Sequence, residues 1–330
     1  MTALSRRRLL ALAGLAVLPG AACSNRQPDG PVNEVTWEPP ASSPPAPVTK
    51  GGGPVAFKNG RVRLGAYVAL KGLTVHEGLA LRRKQLGRTE KLVHRFYSWT
   101  DPLPRSLSAV PDDSTLLLSW RGPRYQEITG GSSDKLIAAA ARRLAAEGKP
   151  TLLRWGWDMN RDFYRWSGPA NGVDASGYVA SWQRLHRIFG AEGADNVSWV
   201  WSPNWNSHPD QPWNQIPKYY PGDQYVDWVG VSGYAQEQTP GEMFDAFYAE
   251  WSPRKPIMLS EVAVVDRGGS TKAGWIASLH AWVKTRPAIG AVVWFDTDTH
   301  PGSTEKWRID SDGRALAAYK AMADDPVFGG

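Results

Sequence analysis

One cysteine, Cys23, is all that the 330 residues contain. A lone cysteine excludes an internal disulfide. The six histidines (76, 94, 186, 208, 280 and 300) show no metal-ligand spacing, so neither a metal nor an organic cofactor is expected. No glycine-rich phosphate loop is present, and Gly51-Gly-Gly53 lies in linker sequence. Ser260 lacks the strand-turn-helix context of a serine nucleophile. No segment is long and apolar enough to remain as a membrane-spanning helix. Charge of one sign is also scarce. Of the formal +6, three charges sit on Arg6, Arg7 and Arg8, which leaves +3 for the rest of the chain. That is a weak signal for an anionic partner, and it argues against nucleic acid.

What is abundant is tryptophan, seventeen of them. A share this large implies a binding groove as well as a core, because tryptophan is costly to leave in water.

The N-terminus reads as a targeting segment. Ser5-Arg6-Arg7-Arg8-Leu9-Leu10 is a basic, twin-arginine start, followed by an apolar stretch from Leu9 to Leu18 and then Pro19-Gly20-Ala21-Ala22-Cys23. Residues 1–22 are thus expected to be a signal peptide, with Cys23 as a lipid attachment site. Plain cleavage near Ala22 is the alternative, and would give a freely secreted protein. Residues 23–60, with Pro39-Pro40 and Ser42-Ser-Pro-Pro-Ala-Pro47, cannot build a core and read as an extended tether. The chain is therefore placed outside the cytoplasm, on the outer face of a membrane or secreted.

From residue 61 to 325 apolar strands alternate with helical patterns. The strand signals fall at 63–68, 91–97, 114–120, 151–155, 197–201, 226–232, 256–260 and 289–295. Asp134 to Glu147 has apolar residues at helical spacing and closes at Gly148; Tyr178 to Phe189 and Lys272 to Lys284 are further helices. Eight β-then-α units of this size predict a single (β/α)₈ barrel.

In such a barrel the site lies at the C-terminal ends of the strands. That rule selects Tyr67, Trp99, Trp120, Trp157, Asp158, Asn160, Asn204, Tyr234, Glu261, Trp294 and Asp296. These are aromatics, amides and carboxylates: groups that stack on sugar rings, bind hydroxyls and cleave glycosidic bonds. Two apolar strands end in carboxylates. Thr151-Leu-Leu runs into Arg154-Trp-Gly-Trp-Asp158, and Lys255-Pro-Ile-Met-Leu-Ser runs into Glu261. Glu261 has a bland alternative as a surface or helix-capping carboxylate. Asp158 has two readings: an acid whose pKa is raised by packing against Trp155 and Trp157, or the partner of a salt bridge to Arg154 or Arg161. Asp162 is the fallback carboxylate, expected to point outward. Asp223 and Asp227 read as structural.

The order of motifs resembles glycoside hydrolase family 26, retaining β-glycanases on (β/α)₈ barrels, from about residue 64 to 322. The resemblance is carried by Leu152 to Trp166, Asn196 to Asn204, Tyr219 to Tyr234, Lys255 to Glu261 and Val292 to Asp296. It implies that Glu261 is the nucleophile, that Tyr234 positions it, that Trp294 is an aromatic platform under the cleaved sugar, and that Asp158 is the general acid/base. Arg154, Trp157, Asn160, Trp120, Trp99, Asn204 and Trp166 complete the expected substrate-binding set. The family pattern His-Glu-Met-Asn-Gly is replaced here by Trp157-Asp158-Met159-Asn160-Arg161. The resemblance implies a monomeric, retaining endo-β-glycanase acting on a mannan or a related β-glucan or β-xylan. The altered motif leaves a rival reading, an envelope lipoprotein that binds carbohydrate on the same barrel with impaired chemistry.

Overall fold

The computed structural model describes residues 52–104, 110–300 and 305–329. The expected signal segment, Cys23 and most of the expected tether lie outside the described residues.

Eight strands form a closed parallel barrel in chain order. They are β1 (Arg63–Ala69), β2 (Leu92–Tyr97), β3 (Thr115–Trp120), β4 (Thr151–Trp155), β5 (Val197–Trp201), β6 (Trp228–Ala235), β7 (Ile257–Val264) and β8 (Ile289–Thr297). Around them lie α1 (Val75–Leu86), α2 (Tyr125–Thr129), α3 (Asp134–Glu147), α4 (Ser176–Ala191), α5 (Pro240–Trp251), α6 (Thr271–Lys284) and α7 (Gly313–Asp324). The helix boundaries follow local chemistry. Thr74 and Thr239 cap α1 and α5 in reciprocal boxes with Glu77 and Glu242, and Gly148 stops α3 in the left-handed region.

The alternation is not complete. The connection from β5 to β6 carries only short 3₁₀ turns. Pro203, Pro209, Pro212, Pro217 and Pro221 interrupt it too often for an α-helix. Between β2 and β3 no helix occurs among the described residues.

The lower barrel interior is filled by Leu92, Leu117, Leu152, Val200, Met258, Ala291 and Val293 with Trp228. The N-terminal end is closed by residues 52–57, which sequence reasoning assigned to the tether. Val55 is buried in this cluster, its amide donates to the Ser198 hydroxyl at 2.9 Å, and the Trp228 indole donates to the carbonyls of Gly52 and Val55. The folded body therefore begins before residue 61.

One irregularity positions the site. Leu259 pairs with Val292 and Val262 with Trp294, so β7 spends three steps where β8 spends two. Against β6, Val231 pairs with Leu259 and Ser232 with Glu261. This extra residue in β7 is a bulge. Ser260 and Glu261, though adjacent, are both directed to the barrel interior.

Candidate active site

The upper interior of the barrel is polar. Its central group is Arg154, on β4 two residues above Leu152 and therefore on the same inward face. Small hydroxyl residues on the neighbouring strands leave room for its guanidinium. It donates to Ser119 of β3 at 3.1 Å, to Ser202 after β5 at 3.0 Å, and to Ser232 of β6. Ser202 is in turn 2.8 Å from Ser260, and His94 of β2 is 2.7 Å from Ser119. Fully buried, Arg154 makes a 2.6 Å ion pair with Glu261. The second Glu261 oxygen accepts the Tyr234 hydroxyl.

Asp158 follows β4 by three residues. Gly156 and Asp158 both take positive φ, 55° and 52°. For a non-glycine residue this is a strained conformation of the kind stored at functional sites. It is fixed by the Asp158 amide donating to the Ser202 carbonyl at 2.9 Å. The carboxyl is buried, one oxygen standing 3.9 Å from Arg154. Burial raises its pKa to about 7; Arg154 opposes the shift, the Glu261 charge adds to it, and the neighbouring Ser232 and Asn204 side chains oppose it. Burial therefore outweighs the Arg154 pairing, and the carboxyl keeps its proton to a much higher pH than an exposed aspartate does.

Aromatics wall this centre. Trp157 lies against Phe96 and Tyr164, with the Arg154 guanidinium 5.2 Å from its ring centre. Tyr67 stacks on Phe295 at 5.2 Å, and Tyr234 meets Phe295 edge-on at 5.3 Å. Trp166 is buried behind the wall. It stacks on Tyr164 and donates to the Trp157 carbonyl, so it braces the loop rather than facing a ligand.

Several expected site residues lie elsewhere. Trp294 is on the outer face of β8, fully buried against Trp275 and Tyr319, with its indole bonded to the Trp307 carbonyl. The inward parity of β8 runs Ala291, Val293, Phe295, so Phe295 occupies the position expected of Trp294. Trp120 also faces outward, against Phe189 and the stacked, half-buried Trp99. Asp296 pairs with Arg82 on the outer side of the barrel. Asn160 is consumed by its own loop, donating to the Asn204 carbonyl and Ser207 and accepting from the Asn204 amide. Arg154 is sealed from a sugar and holds Glu261 instead. Asn204 remains beside Asp158. Asp162 is at the exposed rim near His208. Asp223 and Asp227 bind Arg254 and the Trp199 amide.

The hydroxyl layer, His94, Phe96, Tyr164 and Phe295 were not expected from sequence. His94, Phe96, Ser119 and Phe295 fall inside the expected strands, and strand parity applied within β2, β3 and β8 would have found them. Among the described residues no group of His, Cys, Asp and Glu has the arrangement to hold a metal ion.

The family model for glycosyl hydrolase family 26 matches residues 111–284. Over 282 residues the chain is 31% identical to Endoglucanase H of Acetivibrio thermocellus, an alignment covering 79% of this chain and 30% of that protein. It is 27% identical over 139 residues to a mannan endo-1,4-beta-mannosidase of Bacillus subtilis, covering 41% of this chain and 36% of that one. The chain thus spans about a third of the length of these curated relatives. Among solved structures, a GH26 beta-mannanase from Bacteroides ovatus matches with a TM-score of 0.59 at 15% identity, over 81% of this chain and 89% of that chain. A Bacillus subtilis mannanase matches with a TM-score of 0.58 at 17% identity, over 81% and 86%.

Proposed function

The chain belongs to glycosyl hydrolase family 26, and from that premise we propose that it is a retaining endo-β-glycanase. Glu261 attacks the anomeric carbon of a β-linked sugar to form a covalent glycosyl-enzyme. Asp158 first protonates the leaving glycosidic oxygen and then takes a proton from the incoming water. The observation that carries this reading is the contrast between the two carboxyls. Glu261 is held by Arg154 and Tyr234, which fix its direction. Asp158 is buried with a pKa raised to about 7, which suits an acid at neutral pH. One fold region thus offers an aimed nucleophile and a partner whose affinity for a proton is raised.

The substrate is proposed to be a β-glucan, because the relative aligned over most of this chain is named an endoglucanase; mannan and β-xylan are the alternatives. The replacement of the family's His-Glu by Trp157-Asp158 supports a groove that differs from the mannanase pattern. Export by the twin-arginine segment and anchoring through Cys23 are part of the proposal, and would hold the barrel at the outer membrane face.

Release of reducing sugar from a panel of β-glucans, mannans and xylans tests the activity. Glu261→Gln should lower turnover by several orders of magnitude while glycan binding persists. Turnover near that of the parent would remove Glu261 from the mechanism. If no glycan is cleaved yet one is bound, the carbohydrate-binding alternative replaces this reading.

A further inference from the structure

Beside the catalytic centre the barrel is not tightly sealed. Strands β1 and β2 pair at only two positions, Gly65 with Leu92 and Ala66 with Val93, and then part. The gap holds a cleft of about 410 Å³, lined on one side by Tyr67, Leu70 and Leu73 and on the other by Arg95 and Phe96. Two of these residues join it to the site described above: Tyr67 stacks on Phe295, and Phe96 packs on Trp157. Leu73, 41% exposed, is one of three large hydrophobic side chains left open to water among the described residues.

The charge in this cleft is unbalanced. No Asp or Glu lines it. Arg95 is half-buried, and its guanidinium makes no hydrogen bond or ion pair among the described residues. Arg121, just beyond β3, is exposed and likewise unpaired. Both act on the Tyr67 hydroxyl to lower its pKa, against the larger upward effect of burial and the upward pull of Glu261, the one carboxylate that bears on it and itself paired with Arg154. Elsewhere on the barrel, buried and partly buried arginines are satisfied: Arg82 by Asp296 and Asp310, Arg184 by Asp134, Arg308 by Asp298 and Asp310. A half-buried guanidinium left free in a cleft is a ready partner for an oxyanion, which it engages through parallel N–H donors. Phe96, Tyr67 and Leu73 offer apolar faces for the ring that carries it.

We propose that this cleft is a subsite for an acidic sugar unit, one bearing a carboxylate or a sulfate ester, and that Arg95 is its specificity-determining residue. The inference rests on the glycanase reading and narrows it: the preferred substrate is a β-glycan with anionic units rather than a neutral one.

The test uses Glu261→Gln protein, so that binding is read apart from cleavage. Calorimetric titration compares neutral gluco-, manno- and xylo-oligosaccharides with the same backbones carrying a uronic acid or a sulfate ester. An anionic member should bind roughly tenfold or more tighter than its neutral counterpart. High salt should erase most of that advantage. Adding Arg95→Gln should abolish it, and Arg95→Lys should restore part of it, with thermal melting confirming that each variant is folded. Whether the uronate or the sulfate shows the effect identifies the anion. Equal binding of neutral and anionic members, or an advantage that survives Arg95→Gln, overturns the subsite. The two proposals fail separately. Cleavage of neutral glycans by the parent with no anionic preference refutes the subsite alone, whereas Arg95-dependent anionic binding with no cleavage of any glycan refutes the glycanase alone.

Discussion

Arg154 touches Glu261 at 2.6 Å and stands 3.9 Å from Asp158, so a single buried guanidinium serves both carboxyls. Hydrogen bonds to Ser119, Ser202 and Ser232 fix its orientation. The arrangement makes Arg154 a positioning residue, sensitive to loss of charge and of shape alike.

Arg154→Met is therefore expected to destabilise the fold by about 3–5 kcal/mol, because Glu261 is left buried without its cation. Glycan turnover should also fall by about 100-fold in whatever protein remains folded, since the nucleophile loses its aim. Thermal melting and steady-state kinetics check the two effects. A variant as stable and as active as the parent would show that the ion pair carries neither role.

The raised pKa of Asp158 predicts a definite pH profile. Turnover should decline as pH rises through about 7, where the acid loses its proton. Stability should move the same way. The folded state holds this proton up to about pH 7, while the unfolded chain releases it near 3.8. Folded protein thus binds the extra proton between these values, and stability is lost as pH rises through that window. Asp158→Asn, which cannot ionise, should melt higher than the parent at about pH 8 and similarly to it near pH 4. A parent melting curve that rises across this window relative to Asp158→Asn would contradict the assignment. In kinetics, Asp158→Ala should cripple cleavage of ordinary glycosides, spare those with activated aryl leaving groups, and respond to added azide.

The aromatic platform is tested by two neighbours of opposite facing. Phe295→Ala should lower kcat/KM by up to about tenfold through lost ring contact and, because the ring is buried, cost about 3–5 kcal/mol of stability as well. Trp294→Ala should cost about 3–5 kcal/mol of stability and leave KM unchanged. The reverse pattern would restore Trp294 to the site.

These two residues also show what was legible in the sequence and what was not. The barrel itself was legible. Strands β1 to β5 fall within a residue of their expected bounds, because short apolar runs between helical patterns admit little else. Strands β6 to β8 run two to four residues further than expected, because their last turns carry Tyr234, Glu261 and Asp296, polar groups that read as loop. Parity was the hidden variable. A one-residue error in facing moves a whole strand end to the wrong side, which sent Trp294, Trp120 and Asp296 into the expected site and left Phe295 out. The β7 bulge cannot be read from composition, since its cause is the register with β6 and β8. Asn160 misled for another reason. An amide beside the proposed acid looks like a hydroxyl binder, but here it satisfies a proline-interrupted loop that has no helix to do so.

The account turns on Glu261 as a nucleophile, and trapping tests that directly. Parent protein is incubated with activated 2-deoxy-2-fluoro β-glycosides of the gluco, manno and xylo series, digested, and the peptides weighed by mass spectrometry. A retaining mechanism predicts that one of them adds a single fluorosugar to the peptide holding Glu261, and that Glu261→Gln takes up none. Continued turnover of glycans with no labelled peptide, or label on a carboxylate other than Glu261, would contradict it.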